Sequence, residues 1–250
     1  MAPAKAQWVK TSGRGGIVMQ MAVVQNRMGI HREEWYYFDK DGWMTTGYQN
    51  VDGTWYYLRK DGALTYTGVT PIMGSSDISG DKNTVVNKMV KCTRKRKNLS
   101  AAQLANGGAA SLEQFCQIVY DEAVKEGVKP EVVFGQAMKE TGYLQFGGSV
   151  KIEQFNFAGL GATDVNPTPA SFPDVATGIR AQVQHLKAYA SKDNLTQANV
   201  DPRFSLVTRG SAMYVEWLGQ KENPNGRGWA TAWNYGISLM NQYVRPMYSL

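Results

Sequence analysis

Two cysteines and two histidines in 250 residues exclude several kinds of chemistry at the outset. Cys92 and Cys116 are too few for a disulfide framework. No His-Glu-x-x-His, no Cys-x-x-Cys and no carboxylate cluster with ligand spacing occurs, so no metal is expected. No glycine loop shaped for phosphate is present, and no cofactor is expected. No apolar run approaches the roughly 18 residues of a membrane span. Met1-Ala-Pro-Ala-Lys5 lacks the apolar core of a secretory signal. The net charge of +6 suits an anionic polymer. Its densest run, Lys91-Cys-Thr-Arg-Lys-Arg-Lys97, has no basic-aromatic motif beside it, so it reads as a solvated linker or helix end and no nucleic-acid partner is expected.

What the chain does have is an internal repeat. Trp35-Tyr-Tyr-Phe-Asp-Lys-Asp-Gly42 recurs as Trp55-Tyr-Tyr-Leu-Arg-Lys-Asp-Gly62. Clustered aromatics followed by an Asp-Gly turn are a hairpin signature. A single hairpin cannot bury a core, so such units must stack. The second copy carries one extra residue before its closing glycine, Gly68, than the first has before Gly47, which is expected to spoil a further site. The pattern resembles the choline-binding or cell-wall-binding repeats of Gram-positive surface proteins. That resemblance implies an aromatic cage for a quaternary ammonium, drawn from Trp35, Trp43, Tyr48, Trp55 and Tyr57, with Met44 or Leu64 closing the side. Attraction of a cation to each ring is worth about 0.5–2 kcal/mol. Packing of the stacked hairpins is the competing role for each ring.

The second half of the chain is of another kind. Pro130 suits a first helical turn, Gly142 supplies a stop, and Val133, Ala137 and Glu140 fall on neighbouring positions of the wheel. Glu140 thus lies at the edge of an apolar stripe in the last turn. Low polarity there favours a protonated carboxyl, as glycosidic cleavage needs for its leaving oxygen. A solvated helix flank is the alternative reading of this helix alone.

Four motifs carry a wider resemblance: Met138-Lys-Glu-Thr-Gly142, Gln154-Phe-Asn-Phe-Ala-Gly159, Ser171-Phe-Pro-Asp-Val-Ala-Thr-Gly-Ile-Arg-Ala-Gln-Val-Gln-His-Leu-Lys187 and Trp233-Asn-Tyr-Gly236. In this order and spacing they resemble the glucosaminidases of glycoside hydrolase family 73, which cut peptidoglycan. The resemblance implies a mainly α, lysozyme-like catalytic domain preceded by a small β-hairpin repeat module, with the general acid at Glu140. It also implies Tyr235 bordering the cleaved sugar, and Asn156 and Phe157 shaping the groove floor, with core packing the alternative for Phe157. Asp174 and Glu153 are the candidates for a second carboxylate. If the substrate's own 2-acetamido group attacks, none is needed. One departure stands out: many relatives carry a second glycine where this chain has Leu144.

The expected partners are peptidoglycan glycan strands, with choline or teichoic acid of the wall, and the expected location is secreted or cell-surface. Alternatives are a muramidase or lytic transglycosylase on the same fold, or a non-catalytic wall-binding protein. A Cys116/His185 nucleophilic pair is the remaining option, against which both residues sit at core spacing.

The expected organisation is a degenerate or mis-translated region at 1–34, repeats at 35–68, a linker with one helix at 69–100, and a catalytic domain at 101–250. Helices are expected near 111–126, 130–141, 174–190 and 230–245. Both modules belong outside the cell by resemblance, yet no signal is visible, so the chain is expected to be a fragment or a mis-started reading frame. Residues 17–34 lose the aromatic pattern. Reading back-translated Val18-Met-Gln-Met-Ala-Val-Val-Gln-Asn26 from each third base permits Y-A-D-G-S-x-P-K, so this stretch is expected to be out of frame and without strand structure.

Overall fold

A computed structural model describes residues 8–9, 20–25, 31–39, 43–51, 53–94, 104–161 and 168–250. The chain divides into two compact units, Met1–Val69 and Thr70–Leu250.

The first unit is built of β-strands. β1 (Trp8–Val9), β2 (Gln20–Gln25) and β3 (His31–Tyr36) form one antiparallel sheet. β4 (Gly47–Val51), β5 (Thr54–Leu58) and β6 (Leu64–Thr67) form the other. The expectation of no strand between residues 17 and 34 is corrected, since β2 pairs along its whole length with β3. Gln20-Met-Ala-Val-Val-Gln25 has no glycine or proline, and pairing its amides across a ladder satisfies them regardless of side-chain pattern.

The repeat survives in the geometry at its offset of 20. Thr45 Oγ1 donates to the Tyr37 carbonyl at 3.1 Å, and Thr65 Oγ1 to the Tyr57 carbonyl at 3.4 Å. The second copy holds a β-bulge: Tyr57 faces Tyr66 while Leu58 faces Leu64, leaving Thr65, the counterpart of Thr45, extra. Tyr36 and Ala63 pack with Phe38, joining the two copies.

The second unit is mainly helical and lysozyme-like. Its long helices are α1 (Lys82–Arg94), α2 (Leu112–Lys125), α3 (Pro130–Glu140) and α4 (Val175–Ala190). α2 starts at Ser111, whose side chain accepts from Gln114 N–H, a capping contact worth about 1 kcal/mol. α3 starts at Pro130, whose missing N–H is no loss in a first turn. The core beneath them holds Phe115, Val119, Phe134, Met138, Phe157, Ile179 and Leu186, all buried.

Two boundaries differ from expectation. Residues 70–94 are not a linker but part of this unit. Ile72, Val85 and Met89 are fully buried, and the Thr70 N–H donates to Glu216 Oε2 at 2.8 Å. The Val85-Val86 and Met89-Val90 pairs give α1 one apolar face, which needs a partner. The last helix begins later than 230, as α5 (Tyr235–Leu239), and passes through a π-helical turn (Met240–Val244) into α6 (Arg245–Tyr248). Asn234 is left-handed, at φ 57°, so no right-handed helix can run through it.

Candidate active site

Glu140 is the last residue of α3 because the chain after it turns left-handed. Gly142, Tyr143 and Leu144 have φ of 58°, 61° and 62°. Thr141 fastens the stop: its Oγ1 donates to the Ala137 carbonyl at 2.6 Å and accepts from Leu144 N–H at 2.9 Å. A non-glycine residue in this region costs about 1–2 kcal/mol. Leu144 is buried, and burying a leucine contributes about 1.5–3 kcal/mol, which offsets the cost.

Tyr235, the first residue of α5, donates its hydroxyl proton to Glu140 Oε1 in a short hydrogen bond. The direction is fixed by a buried chain. Gln182 Nε2 donates to the Val133 carbonyl at 3.0 Å, and a backbone carbonyl can only accept. The same Nε2 donates to Gln136 Oε1 at 3.0 Å, which turns Gln136 Nε2 toward the Tyr235 oxygen at 3.2 Å. With that oxygen accepting from Gln136, the tyrosine's own proton faces Glu140. Any proton on Glu140 therefore sits on Oε2.

Oε2 faces the loop after Phe157. A Cβ added to Gly159 would lie at an ordinary contact distance of 3.8 Å from it, so this loop runs beside the carboxyl, and the φ of 65° is what calls for glycine. Asn156 shapes this loop: its Nδ2 donates to the carbonyls of Leu160 and Ala170 at 2.8 and 3.0 Å, and its Oδ1 accepts from Leu160 N–H at 2.9 Å. Gly178 of α4 lets the turn before it come near, since a Cβ there would stand 1.8 Å from the Phe155 carbonyl oxygen.

The electrostatics favour a protonated Glu140. Glu140 is exposed at the end of α3, yet the protein packed around its carboxyl raises its pKa by desolvation. The Tyr235 hydrogen bond and the Lys139 charge act in the opposite direction and do not cancel the rise. A carboxylate at a helix C-terminus is also opposed by the helix dipole. Lys139 lies 5.2 Å from the Tyr235 ring and 5.4 Å from that of Tyr243, and burial lowers its own pKa. The Tyr235 hydroxyl is pushed well up by burial and by Glu140, so it stays a donor.

On the far side of Gly159 opens a cleft of about 210 Å³, lined among others by His185, Tyr189, Arg203 and Trp229.

The remaining expected site residues lie elsewhere or act otherwise. Asp174 caps α4: its Oδ1 accepts from Thr177 N–H at 2.7 Å. Glu153 is exposed on the 3-10 turn Ile152–Gln154. Phe157 is fully buried, with ring centroids 5.1 Å from Phe115 and 5.9 Å from Phe146, so it supports the groove from behind and is not its floor. Asn156 is likewise buried and organises backbone, as above. Cys116 is buried in apolar packing that drives its thiol pKa up, which does not suit a nucleophile, and His185 Nδ1 is engaged by Asp201 at 2.7 Å. Among the described residues no cluster of three or more His, Cys, Asp or Glu could hold a metal.

Gln136, Gln182 and Lys139 are absent from the sequence expectations. A signal for the glutamines existed: each stands amid apolar positions of its helix, and a polar residue there must have a partner.

In the β unit, Trp43 and Trp35 are 74% and 40% exposed, and Met44 is also exposed. Tyr48 and Tyr57 are not open cage walls but buried partners, 4.9 Å apart between centroids. Directly opposite places on β4 and β5 press these rings together. Half-buried Trp55 meets Tyr48 edge-on at 6.3 Å.

Residues 30–67 match the choline-binding repeat family. A protein of Borreliella burgdorferi described as uncharacterized is 50% identical over 92 residues, which are 37% of this chain and 45% of that protein. The chain thus spans about half the length of the curated relative it matches. No solved structure matches. The family model described as mannosyl-glycoprotein endo-beta-N-acetylglucosaminidase matches residues 116–245, and the chain belongs to this glucosaminidase family.

Proposed function

We propose that the chain is a glycosidase of the bacterial wall that cuts the β-1,4 bond after N-acetylglucosamine in peptidoglycan, held there by its aromatic repeats. The observation that carries this reading is the Glu140 carboxyl: pKa raised by burial, Oε1 taken by Tyr235, and Oε2 left toward the Gly159 loop.

In this reading Glu140 Oε2 gives its proton to the leaving glycosidic oxygen as the bond to the anomeric carbon breaks. The Tyr235 hydroxyl then stabilises the new carboxylate through Oε1. The substrate's 2-acetamido oxygen closes onto the anomeric carbon, and Glu140 next takes a proton from the water that opens this ring, so the acid is restored. The substrate-assisted route is favoured because the Asp174 carboxylate is engaged in capping α4 and Glu153 lies exposed on its short turn. The repeats bring the enzyme to a quaternary ammonium such as wall choline, through Trp43, Trp35 and Trp55.

Reducing-end analysis of a digested Gram-positive wall tests this. N-acetylglucosamine at the new ends supports it; N-acetylmuramic acid or its anhydro form would assign a muramidase or transglycosylase instead. Wall clearing that is equal in Glu140→Gln and the unmodified chain would remove Glu140 from the chemistry.

A further inference from the structure

We propose that the cleft beyond Gly159 is a subsite for a sugar unit bearing a carboxylate, with Arg203 as its anion-binding residue and Trp229 as its platform. The proposal rests on the reading above that the substrate is wall glycan, and it names which unit this cleft takes.

The cleft adjoins the cleavage point, because Gly159 both lines it and lies against Glu140 Oε2. At about 210 Å³ it is smaller than the roughly 300–1,000 Å³ of sites for drug-sized ligands, so it suits one ring and not a chain. Its walls are of two kinds. Trp229 and Tyr189 are half-buried aromatics, 6.1 Å apart between centroids, and offer apolar faces to the C–H side of a sugar. Arg203 lines the same space. Burial raises the Tyr189 hydroxyl pKa, with the Arg203 charge acting to lower it and the Asp201 charge to raise it.

Asp201, two positions before Arg203, turns both of its oxygens to partners other than that guanidinium. Asp201 Oδ1 accepts from the Arg203 backbone N–H at 2.9 Å, and Oδ2 is engaged by His185 Nδ1 at 2.7 Å. Asp201 is buried, so it fixes the His185 ring, which meets Trp229 edge to face at 4.8 Å and 89°. The buried carboxylate therefore acts as a support for the platform. Arg203 is left as the charged group at the cleft, and a guanidinium fork matches a carboxylate with two parallel hydrogen bonds. In wall glycan, the units alternating with N-acetylglucosamine supply that chemistry, either as a free lactyl carboxylate or as an acid on an attached peptide.

The test is binding in a Glu140→Gln background, where ligand is not consumed. Three tetrasaccharides are compared: alternating N-acetylglucosamine and N-acetylmuramic acid without peptide, the same with its lactyl carboxyls converted to amides, and an N-acetylglucosamine tetramer. The acid form is expected to bind about tenfold more tightly than the amide, the scale of one charge-assisted contact. Arg203→Gln should abolish that difference and leave the two neutral ligands within about twofold. Arg203→Lys, which keeps charge without the fork, should retain part of it. A peptide-bearing oligomer, whose lactyl carboxyl is in amide linkage, assigns the source: Arg203-dependent tightening confined to it points to the peptide acid. If no carboxylate-bearing ligand is preferred before any substitution at Arg203, if the preference survives Arg203→Gln, or if that substitution weakens all ligands equally, the proposal is wrong. Failure of the unmodified chain to cut wall would overturn the proposed reaction, yet leave this binding result standing by itself.

Discussion

Tyr235 and Glu140, 95 positions apart, share one proton-directed contact in which the tyrosine gives and the carboxylate receives. Its direction comes from the Val133 backbone carbonyl, relayed through Gln182 and Gln136. One oxygen of Glu140 is thereby committed to the protein and the other is left toward the Gly159 loop. This division of labour within one carboxyl sets what substitutions around it should do.

Tyr235→Phe removes a hydrogen bond that stabilises the Glu140 anion. The Glu140 pKa, already raised, must then rise further. Because the acid works protonated, the alkaline limb of the pH–rate profile should move to higher pH, while the maximal rate falls by about tenfold or more. Lys139→Met should move the same limb in the same direction, since Lys139 also favours the anion. A limb that moves to lower pH in either variant contradicts the assignment.

Gln136→Leu keeps the volume but removes both the acceptor for Gln182 and the donor to Tyr235. Orphaned buried polar groups cost about 1–3 kcal/mol, so the melting temperature should drop. The surviving folded enzyme should show a lower kcat with little change in KM, as its tyrosine is no longer aimed. An unchanged kcat would mean that Tyr235 is oriented by something else.

Acid should weaken the helical unit through Glu122 and Glu126. Burial pushes both carboxyls up, but Arg180 and Lys125 at Glu122, and Thr196, Lys187 and Gln197 at Glu126, more than reverse it, so both pKa values end below normal. A group with a lowered folded pKa contributes stability above its unfolded value, near 4.5, and loses it as pH falls through the folded one. Denaturant titrations should show stability declining as pH drops below about 4.5. Glu126→Gln leaves Lys187, its partner at 2.9 Å, buried without a counter-charge and should cost about 3–5 kcal/mol at neutral pH while flattening that decline.

Much of this was legible in the sequence. α2, α3 and α4 follow from apolar spacing between a capping serine, a first-turn proline and a capping aspartate, which are local signals. The repeat offset is kept in the paired Thr45 and Thr65 contacts, whereas nothing in the repeat pattern announced the bulge at Thr65. The motifs singled out Glu140 and Tyr235, which the structure brings into contact. The Gln182–Gln136 relay was not legible, because it joins two helices whose packing no local pattern specifies. Asp174 is expected from the sequence only as a candidate second carboxylate, and its contact to Thr177 N–H reveals the cap. Residues 70–94 read as a linker because α1 is polar on average; its apolar face becomes visible only against its neighbours.

The repeats should bind choline weakly, since of the five expected cage rings Tyr48 and Tyr57 are spent on packing, which leaves Trp43, Trp35 and Trp55 to meet a cation. A millimolar Kd corresponds to about 4 kcal/mol, within reach of two or three rings. Tryptophan fluorescence titrated with choline should saturate in the millimolar range and lose that response in Trp43→Ala. No response up to tens of millimolar would point to another wall ligand.

The most direct test of the central claim is the rate at which purified wall glycan gains N-acetylglucosamine reducing ends, measured side by side for the unmodified chain and Glu140→Gln. The account predicts steady release by the first and a loss of about 10²–10⁴-fold in the second, with the melting temperature unchanged. A Glu140→Gln enzyme that keeps more than about a third of the rate, well short of the loss expected for a general acid, would contradict it.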